Sequence, residues 1–300
     1  MIQPQNLQAG DVIGMVCPAG AIPMERTNQC VETLTSWGYQ VKMGKTVGGK
    51  HFTYSGTDAE RAADLQTMMD DPSVKAILCA RGGYGLSRII DRLDFTAIQA
   101  NPKWIIGFSD ITVLHAALQK KGIMSIHGPM AAAFAKGPEG EPYIQALKFI
   151  LQGQKTNYEA PVHAYNKLGL AKAPIIGGNL CLMTHLIGSK NSMDTNGKIL
   201  FLEDIGEFHY NLDRMVIQMK NAGLFNNLAG LVLGGFSEMR DEPTDIGAGA
   251  FEILQSHITA FNYPVCYDFP ISHGLTNYPI KEGAIYQLNI QAHQVILKEA

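Results

Sequence analysis

No stretch of this 300-residue chain approaches the roughly 20 consecutive apolar residues that a membrane-spanning helix needs. Charge of one sign is equally scarce. Twenty-four basic residues stand against 27 acidic ones, for a formal charge of -3, and neither sign forms a long run. That balance leaves no electrostatic footprint for nucleic acid or an anionic membrane, so the expected partner is a small molecule. Cysteine is sparse: Cys17, Cys30, Cys79, Cys181 and Cys266 are odd in number, scattered, and free of any C-x-x-C pair. Reduced, mostly buried thiols are the expectation. The opening residues lack a basic segment followed by a long apolar one, so no secretory signal is visible and a cytoplasmic location is expected. No H-E-x-x-H, EF-hand or paired-cysteine spacing occurs, so a metal mechanism has little support.

What is present is an ordinary globular composition, 46% hydrophobic and 17% charged. The length allows one large domain or two medium ones, with a full core either way. In the first half, short apolar runs alternate with amphipathic stretches. Strands are expected over 11–16, 39–43, 74–80 and 103–108, and helices over 24–37, 58–70, 86–93 and 111–121. Such alternation predicts a parallel sheet covered by helices, a Rossmann- or flavodoxin-like domain over residues 1–150. A loop over 137–142, a short helix to residue 151 and a polar stretch predict a linker over 151–172. Beyond it, helices over 180–187, 211–222 and 247–259 and strands over 198–202, 228–233 and 265–268 predict a second α/β domain, 173–300. Its tail from Ala284 alternates like hairpin strands.

Three segments carry candidate chemistry. Ser109 stands between the strand ending Ile106-Gly107-Phe108 and a helix beginning at Ile111, where backbone N–H groups and the helix dipole favour an anion. Gly107 permits a sharp turn like a nucleophile elbow, although Ile111 replaces the usual second glycine. A plain helix N-cap is the alternative for Ser109. The loop Arg81-Gly82-Gly83-Tyr84-Gly85 also follows a strand, and its glycines allow a close approach of backbone to ligand. It is no dinucleotide fingerprint, because Gly83-x-Gly85-x-x-Arg88 lacks the third glycine. A phosphate or carboxylate cradle, an oxyanion donor and a simple tight turn with Arg81 on the surface all remain open. Glu203, Asp204 and Glu207 follow a buried strand, and His273 sits in a loop stiffened by Pro270 and Gly274. The order Ser109, Glu203, His273 is the Ser-acid-His order of hydrolases with a strand-turn-helix nucleophile.

Together these segments resemble the LD-carboxypeptidase family of serine peptidases, which includes the microcin C immunity peptidases. The likeness runs through Gly10-Asp11-Val12-Ile13-Gly14 with Pro18, Ala80-Arg81-Gly82-Gly83-Tyr84-Gly85 and Gly107-Phe108-Ser109-Asp110. It continues in Gly177-Gly178-Asn179-Leu180, Phe201-Leu202-Glu203-Asp204 and Ser272-His273-Gly274. The resemblance implies two α/β domains with an active site in the cleft between them. It implies Ser109 as nucleophile, His273 as general base and Glu203 as its partner, with Glu207 a weaker alternative. The N–H groups of Asp110 and Gly83 would form the oxyanion hole, and Arg81 and Gly82 would bind substrate. It further implies a homodimer without metal or cofactor that removes the terminal D-alanine of murein tetrapeptides in peptidoglycan recycling. A second reading is an immunity-type peptidase cleaving a peptidyl- or aminoacyl-nucleotide amide. The short region between Ala160 and Ala173 speaks against it, because the immunity subgroup carries an insertion there. A third reading, from another class, is a non-catalytic α/β binding module.

Overall fold

The apolar runs become two sheets, one in each of two units, in a computed structural model that describes residues 1–241 and 243–300. The first unit comprises Met1–Gln154 together with Tyr278–Gly283, and the second Lys155–Asn277 with Ala284–Ala300.

In the first unit, β1 (Val12–Val16), β2 (Gln40–Met43), β3 (Val74–Cys79), β4 (Trp104–Gly107) and β5 (Ser125–His127) lie in the order β5-β4-β3-β1-β2, all parallel. β4 is buried throughout and β3 nearly so, as continuous apolar runs require when both faces are covered. Helices α1 (Asn28–Ser36), α2 (Asp58–Asp70), α3 (Thr96–Ala100), α4 (Thr112–Lys120) and α5 (Glu141–Leu151) connect or follow the strands. Thr57 and Glu60 close a capping box at the start of α2, satisfying two orphan donors there. This strand order is the flavodoxin-like one, and its direction reverses between β1 and β3. Ligands of such sheets bind beyond the carboxyl ends of the strands at that switch point.

The second unit holds β6 (Asn157–Ala160), β7 (Gly169–Asn179), β8 (Ile199–Ile205), β9 (Gly230–Ser237) and β10 (Val265–Cys266). Its helices are α6 (Leu180–His185), α7 (His209–Asn221) and α8 (Ala250–Ile258). β11 (Ile280–Glu282) belongs to the first unit, where it pairs antiparallel with β5. β12 (Ile285–Ile290) and β13 (Val295–Glu299) form the expected hairpin and extend the second sheet to β10-β9-β8-β7-β12-β13-β6. The β7 to β10 half is parallel, and the rest antiparallel.

Two expectations differ from the structure. Residues 86–93 are two 3-10 turns, Leu86–Arg88 and Ile90–Arg92, rather than one helix. The Leu86 N–H is taken by the Asp110 carboxylate at 2.8 Å, and Gly85 before it has φ 136°, so the chain enters this segment at an angle no α-helix continues. The stretch 151–172, expected as a linker, contains β6 and the first residues of β7. Its backbone is taken up by the sheet, with Tyr158 and Ala160 buried on alternate positions.

Candidate active site

The loops after β1, β3 and β4 meet at the switch point of the first sheet. The Gly20 N–H donates to the Gly82 carbonyl at 2.8 Å, joining the β1 loop to the glycine loop. The Arg81 guanidinium donates to the Ala21 carbonyl across the same gap. Thus Arg81 and the carbonyl of Gly82 already work in fixing the two loops to each other. A side chain at Gly82 would lie 3.0 Å from Ser109 Cβ and 3.3 Å from the Asp110 nitrogen, so glycine lets this loop close over the serine turn.

Ser109 itself has φ 64°, the left-handed region that a residue with a Cβ enters only at a cost. Such strain persists where surrounding structure enforces it, and it clusters at functional sites. The enforcing contacts are local. Gly107 leaves no room for a Cβ, which would meet Ile111 Cγ1 at 2.9 Å and Cys79 Cβ at 3.2 Å. Ile111, the departure from the elbow pattern, therefore packs where the Gly107 side chain would be. Behind it, the buried His115 ring lies between the Gly107 carbonyl and Ser125 Oγ, at 2.8 Å from each. Burial holds that imidazole down to about 4, so it is neutral near pH 7, donates from Nε2 to the carbonyl and accepts at Nδ1. Neither the 3-10 turn Ser109–Ile111 nor α4 has a side-chain cap, so the helix-cap role does not describe Ser109. Asp110 is buried, and its carboxylate holds the Leu86 N–H. Gly83, with φ 94°, is exposed, and its N–H has no hydrogen-bond partner among the described residues.

The second unit brings Glu203 and His273 together. Glu203 lies on β8, fully buried, and its Oε2 is 2.5 Å from His273 Nδ1; the His273 side chain is 13% exposed. Glu203 Oε1 is buried with no hydrogen-bond partner among the described residues, so the imidazole is the group that compensates this carboxylate. The histidine loop lies against β9. Phe269 N–H donates to the Leu233 carbonyl at 3.0 Å, and Gly235 N–H to the Ile271 carbonyl at 2.9 Å. Ser272 Oγ accepts from the Gly274 N–H at 3.0 Å and donates to the Thr276 carbonyl at 2.7 Å. A Cβ at Gly234 would lie 2.1 Å from the Ile271 oxygen, and one at Gly235 would lie 2.6 Å from Ser272 Cβ. This glycine pair, which the sequence reading passed over, is what lets the loop press onto the strand. Adjacent glycines inside an apolar strand were the available signal.

The other acids have other tasks. Asp204, next in the strand, points to the opposite face as the pleat requires. Its oxygens accept from Asn179 Nδ2 at 2.7 Å, the Cys181 N–H at 2.9 Å and the Ile205 N–H at 2.8 Å. Asn179 in turn caps α6 through the Leu182 N–H at 3.1 Å, which accounts for the asparagine before Leu180. Glu207 accepts from Asn211 at the start of α7. The five cysteines are free, and burial pushes the Cys17 thiol up to about 12. No group of His, Cys, Asp and Glu suited to a metal ion occurs among the described residues. None of their helices is long and apolar enough to cross a membrane.

Burial, and then the charge of Glu203, raise the Asp204 carboxyl from 3.8 to about 7, against the pull of its three donors. A carboxyl raised in the fold stays neutral there while its unfolded counterpart ionises. Its stabilisation is therefore complete below about pH 4, drains as pH rises, and is gone above about pH 7. Asp204→Asn, neutral at every pH, removes that slope. Urea midpoints compared between about pH 4.5 and pH 8 should fall less in the variant than in the wild type. Equal slopes would remove Asp204 as the cause.

A strained serine on a glycine-lined turn in one α/β unit, and a buried glutamate on a histidine in another, are side-chain types that hydrolases of the serine-peptidase class use. The comparisons narrow the class. Residues 13–128 match the LD-carboxypeptidase N-terminal domain and residues 172–288 the LD-carboxypeptidase C-terminal domain. A probable murein peptide carboxypeptidase of Bacillus subtilis (strain 168) is 33% identical over 300 residues, covering 99% of this chain and 94% of that protein. A microcin self-immunity protein of Escherichia coli is 28% identical over 304 residues, covering 89% of this chain and 87% of that one. Among solved structures, a muramoyltetrapeptide carboxypeptidase from Oxalobacter formigenes superposes with a TM-score of 0.88 at 28% identity, covering 96% of this chain and 98% of that one. The chain belongs to the LD-carboxypeptidase family.

Proposed function

We propose that this chain is a cytoplasmic LD-carboxypeptidase that releases the terminal D-alanine from murein tetrapeptides. The observation that carries the reading is the left-handed backbone of Ser109 at the carboxyl end of β4, beside a glycine loop. In the proposed reaction, Ser109 Oγ attacks the carbonyl carbon of the L-centre while its proton passes to His273 Nε2. The carbonyl oxygen becomes an oxyanion and takes hydrogen bonds from the N–H groups of Gly83 and Asp110. As the tetrahedral adduct collapses, the C–N bond breaks and His273 returns the proton to the departing amine. Water, deprotonated by the same imidazole, then cleaves the ester and restores Ser109. Glu203 holds Nδ1–H, which leaves Nε2 able to accept, and its charge favours the imidazolium that forms in each half. Arg81, with donors beyond the one given to Ala21, is the proposed partner of the substrate carboxylate, and Gly82 supplies the close backbone approach.

The names of the Bacillus and Oxalobacter proteins support a murein peptide substrate. A terminal D-alanine and its L-isomer exchange carboxylate and methyl around the same bond. A cradle of fixed donors cannot serve both arrangements, and two charge-assisted hydrogen bonds at about 1.5–3 kcal/mol each give discrimination on the order of a thousandfold or more. The test is chiral amino-acid analysis of the residue released from a murein tetrapeptide and from its all-L isomer at equal concentration. D-alanine is expected from the first, and essentially nothing from the second. Comparable release of L-alanine would reject the assignment. Cleavage of an aminoacyl-nucleotide amide alone would favour the function named for the E. coli relative.

A further inference from the structure

Arg61, in the first turn of α2, is a fully buried guanidinium whose bonds run mostly to backbone of other segments. Nη1 donates to the Pro18 carbonyl at 2.6 Å and to the Gly85 carbonyl at 2.9 Å. Nε donates to the Gly56 carbonyl at 3.2 Å, and Nη2 to Asp58 Oδ1 at 2.5 Å. Three carbonyls from three segments thus converge on one planar group: the loop after β1, the approach to α2 and the far end of the glycine loop after β3.

Burying a cation among carbonyls is a poor way to gain stability. An apolar group of similar volume often does as well or better. What a guanidinium offers and an apolar group does not is direction, because its donors leave in fixed directions from a rigid plane. That plane is itself held. Its central carbon lies 4.9 Å from the centre of the Tyr54 ring, and Asp58 is gripped from outside by Arg88 Nε at 3.0 Å and Nη2 at 2.8 Å. A Cβ at Gly85 would come within 2.7 Å of Arg61 Nη1 and 3.0 Å of the Tyr54 ring, so the glycine there is required by the clamp.

The glycine loop is consequently pinned on both sides of Gly83. The Gly82 carbonyl is held by the Gly20 N–H, and the Gly85 carbonyl by Arg61. Between the pins, Gly83 has the wide backbone freedom of its kind, and its N–H is unused by the described residues. That N–H shares a planar peptide with the Gly82 carbonyl, so the Gly20 contact sets its direction, and Arg61 at Gly85 holds the downstream end against which that plane could otherwise tilt. We propose that Arg61 is a positioning residue that aims the Gly83 N–H at the developing oxyanion. The proposal rests on the serine-peptidase reading above. An oxyanion donor is effective only when preorganised, and losing one costs about 10²–10³ in kcat.

The test uses the full chain, with active sites counted by a serine-reactive phosphonate carried to completion. Arg61→Lys keeps the charge but gathers its donors on one nitrogen, which cannot span the carbonyls now reached from Nε and Nη1. Expected is a fall in kcat per labelled site of about 10–100-fold, a partial loss of what a donor supplies, with KM within about twofold. Phosphonate inactivation should slow by a similar factor, since it too places an anionic oxygen in the hole. Counting labelled sites removes the contribution of unfolded protein, so a merely structural role would leave kcat per site unchanged. Unchanged kcat, or a raised KM with kcat intact, overturns the proposal. Should Arg61→Lys not fold, Asp58→Asn loosens the clamp from its half-buried end, and a loss of about 3–10-fold in kcat at constant KM is expected. No loss there overturns the proposal equally. Wild-type protein that the phosphonate does not label at Ser109 rejects the serine reading itself, a result distinguishable from a labelled wild type with an indifferent Arg61.

Discussion

Ser109→Ala is expected to lower turnover by about 10⁴–10⁶-fold, the range seen when a triad nucleophile is removed. The change deletes one oxygen from a half-buried position and leaves the Cβ, so the left-handed backbone at φ 64° is neither relieved nor worsened. The packing that enforces the turn, Ile111 over Gly107 and His115 beneath it, does not involve the hydroxyl. Stability should therefore stay within about 0.5 kcal/mol of wild type, as for substitutions that break no named interaction. Substrate binding, measured by calorimetry on the inactive variant, should be nearly unchanged. A purified Ser109→Ala protein that keeps a tenth or more of wild-type activity removes Ser109 from the mechanism.

Glu203→Gln carries the second large effect, a loss of about 10⁴-fold in kcat. The carboxylate oxygen 2.5 Å from His273 Nδ1 can only accept, and so it holds the proton on Nδ1 and leaves Nε2 bare. A glutamine can turn its amide N–H toward the ring instead. The imidazole then accepts at Nδ1, carries its proton on Nε2, and can no longer take one from a serine. The imidazolium also loses its neighbouring charge. Glu207→Gln, beside α7, should cost less than tenfold, a modest effect, because that side chain already has the Asn211 amide. Stability separates the two roles further. Glu203 is a fully buried carboxylate with one bare oxygen, so neutralising it should leave the thermal midpoint unchanged or raise it. Equal kinetic losses at the two positions, or a larger one at Glu207, would move the role to Glu207. A collapse in stability of Glu203→Gln would mean that the pair is structural.

Much of this arrangement was legible from local pattern. Continuous apolar runs at 74–80 and 103–108 read as buried parallel strands because both faces of such strands are covered. Glycine and proline marked the turns, and the segments around Ser109, Glu203 and His273 stood out for their neighbours. Other elements were silent for physical reasons. β5 is three residues long and buried through contacts with β4 and β11, so it has too short a period to detect. The first half of β7 pairs antiparallel with β12 and exposes every second residue, and with its small and charged side chains it reads as loop. The return of residues 278–283 to the first unit depends on a pairing with β5 some 150 positions earlier in the chain, which no local pattern encodes. Residues 86–93 have helical spacing, but the Asp110 carboxylate and the Gly85 backbone, both set by tertiary neighbours, redirect them.

By itself the sequence determined that Glu203 and Asp204 stand at the carboxyl end of a buried strand; that the strand runs on to Ile205, so that the two face opposite ways across the sheet, came from the structure. The sequence also determined that the chain could bend sharply before Ser109, since Gly107 leaves the space into which Ile111 packs. Only the tertiary structure decided which acid met the histidine. Asp204 was drawn toward β7 and α6, where Asn179 and the Cys181 N–H were waiting donors, and Glu203 was left facing the loop that Gly234 and Gly235 allow onto β9. The reason is that a pleat fixes the relation between two neighbouring side chains, while the direction each finally takes is set by the elements packed on either face. Those elements come from parts of the chain about 25 and 70 residues away.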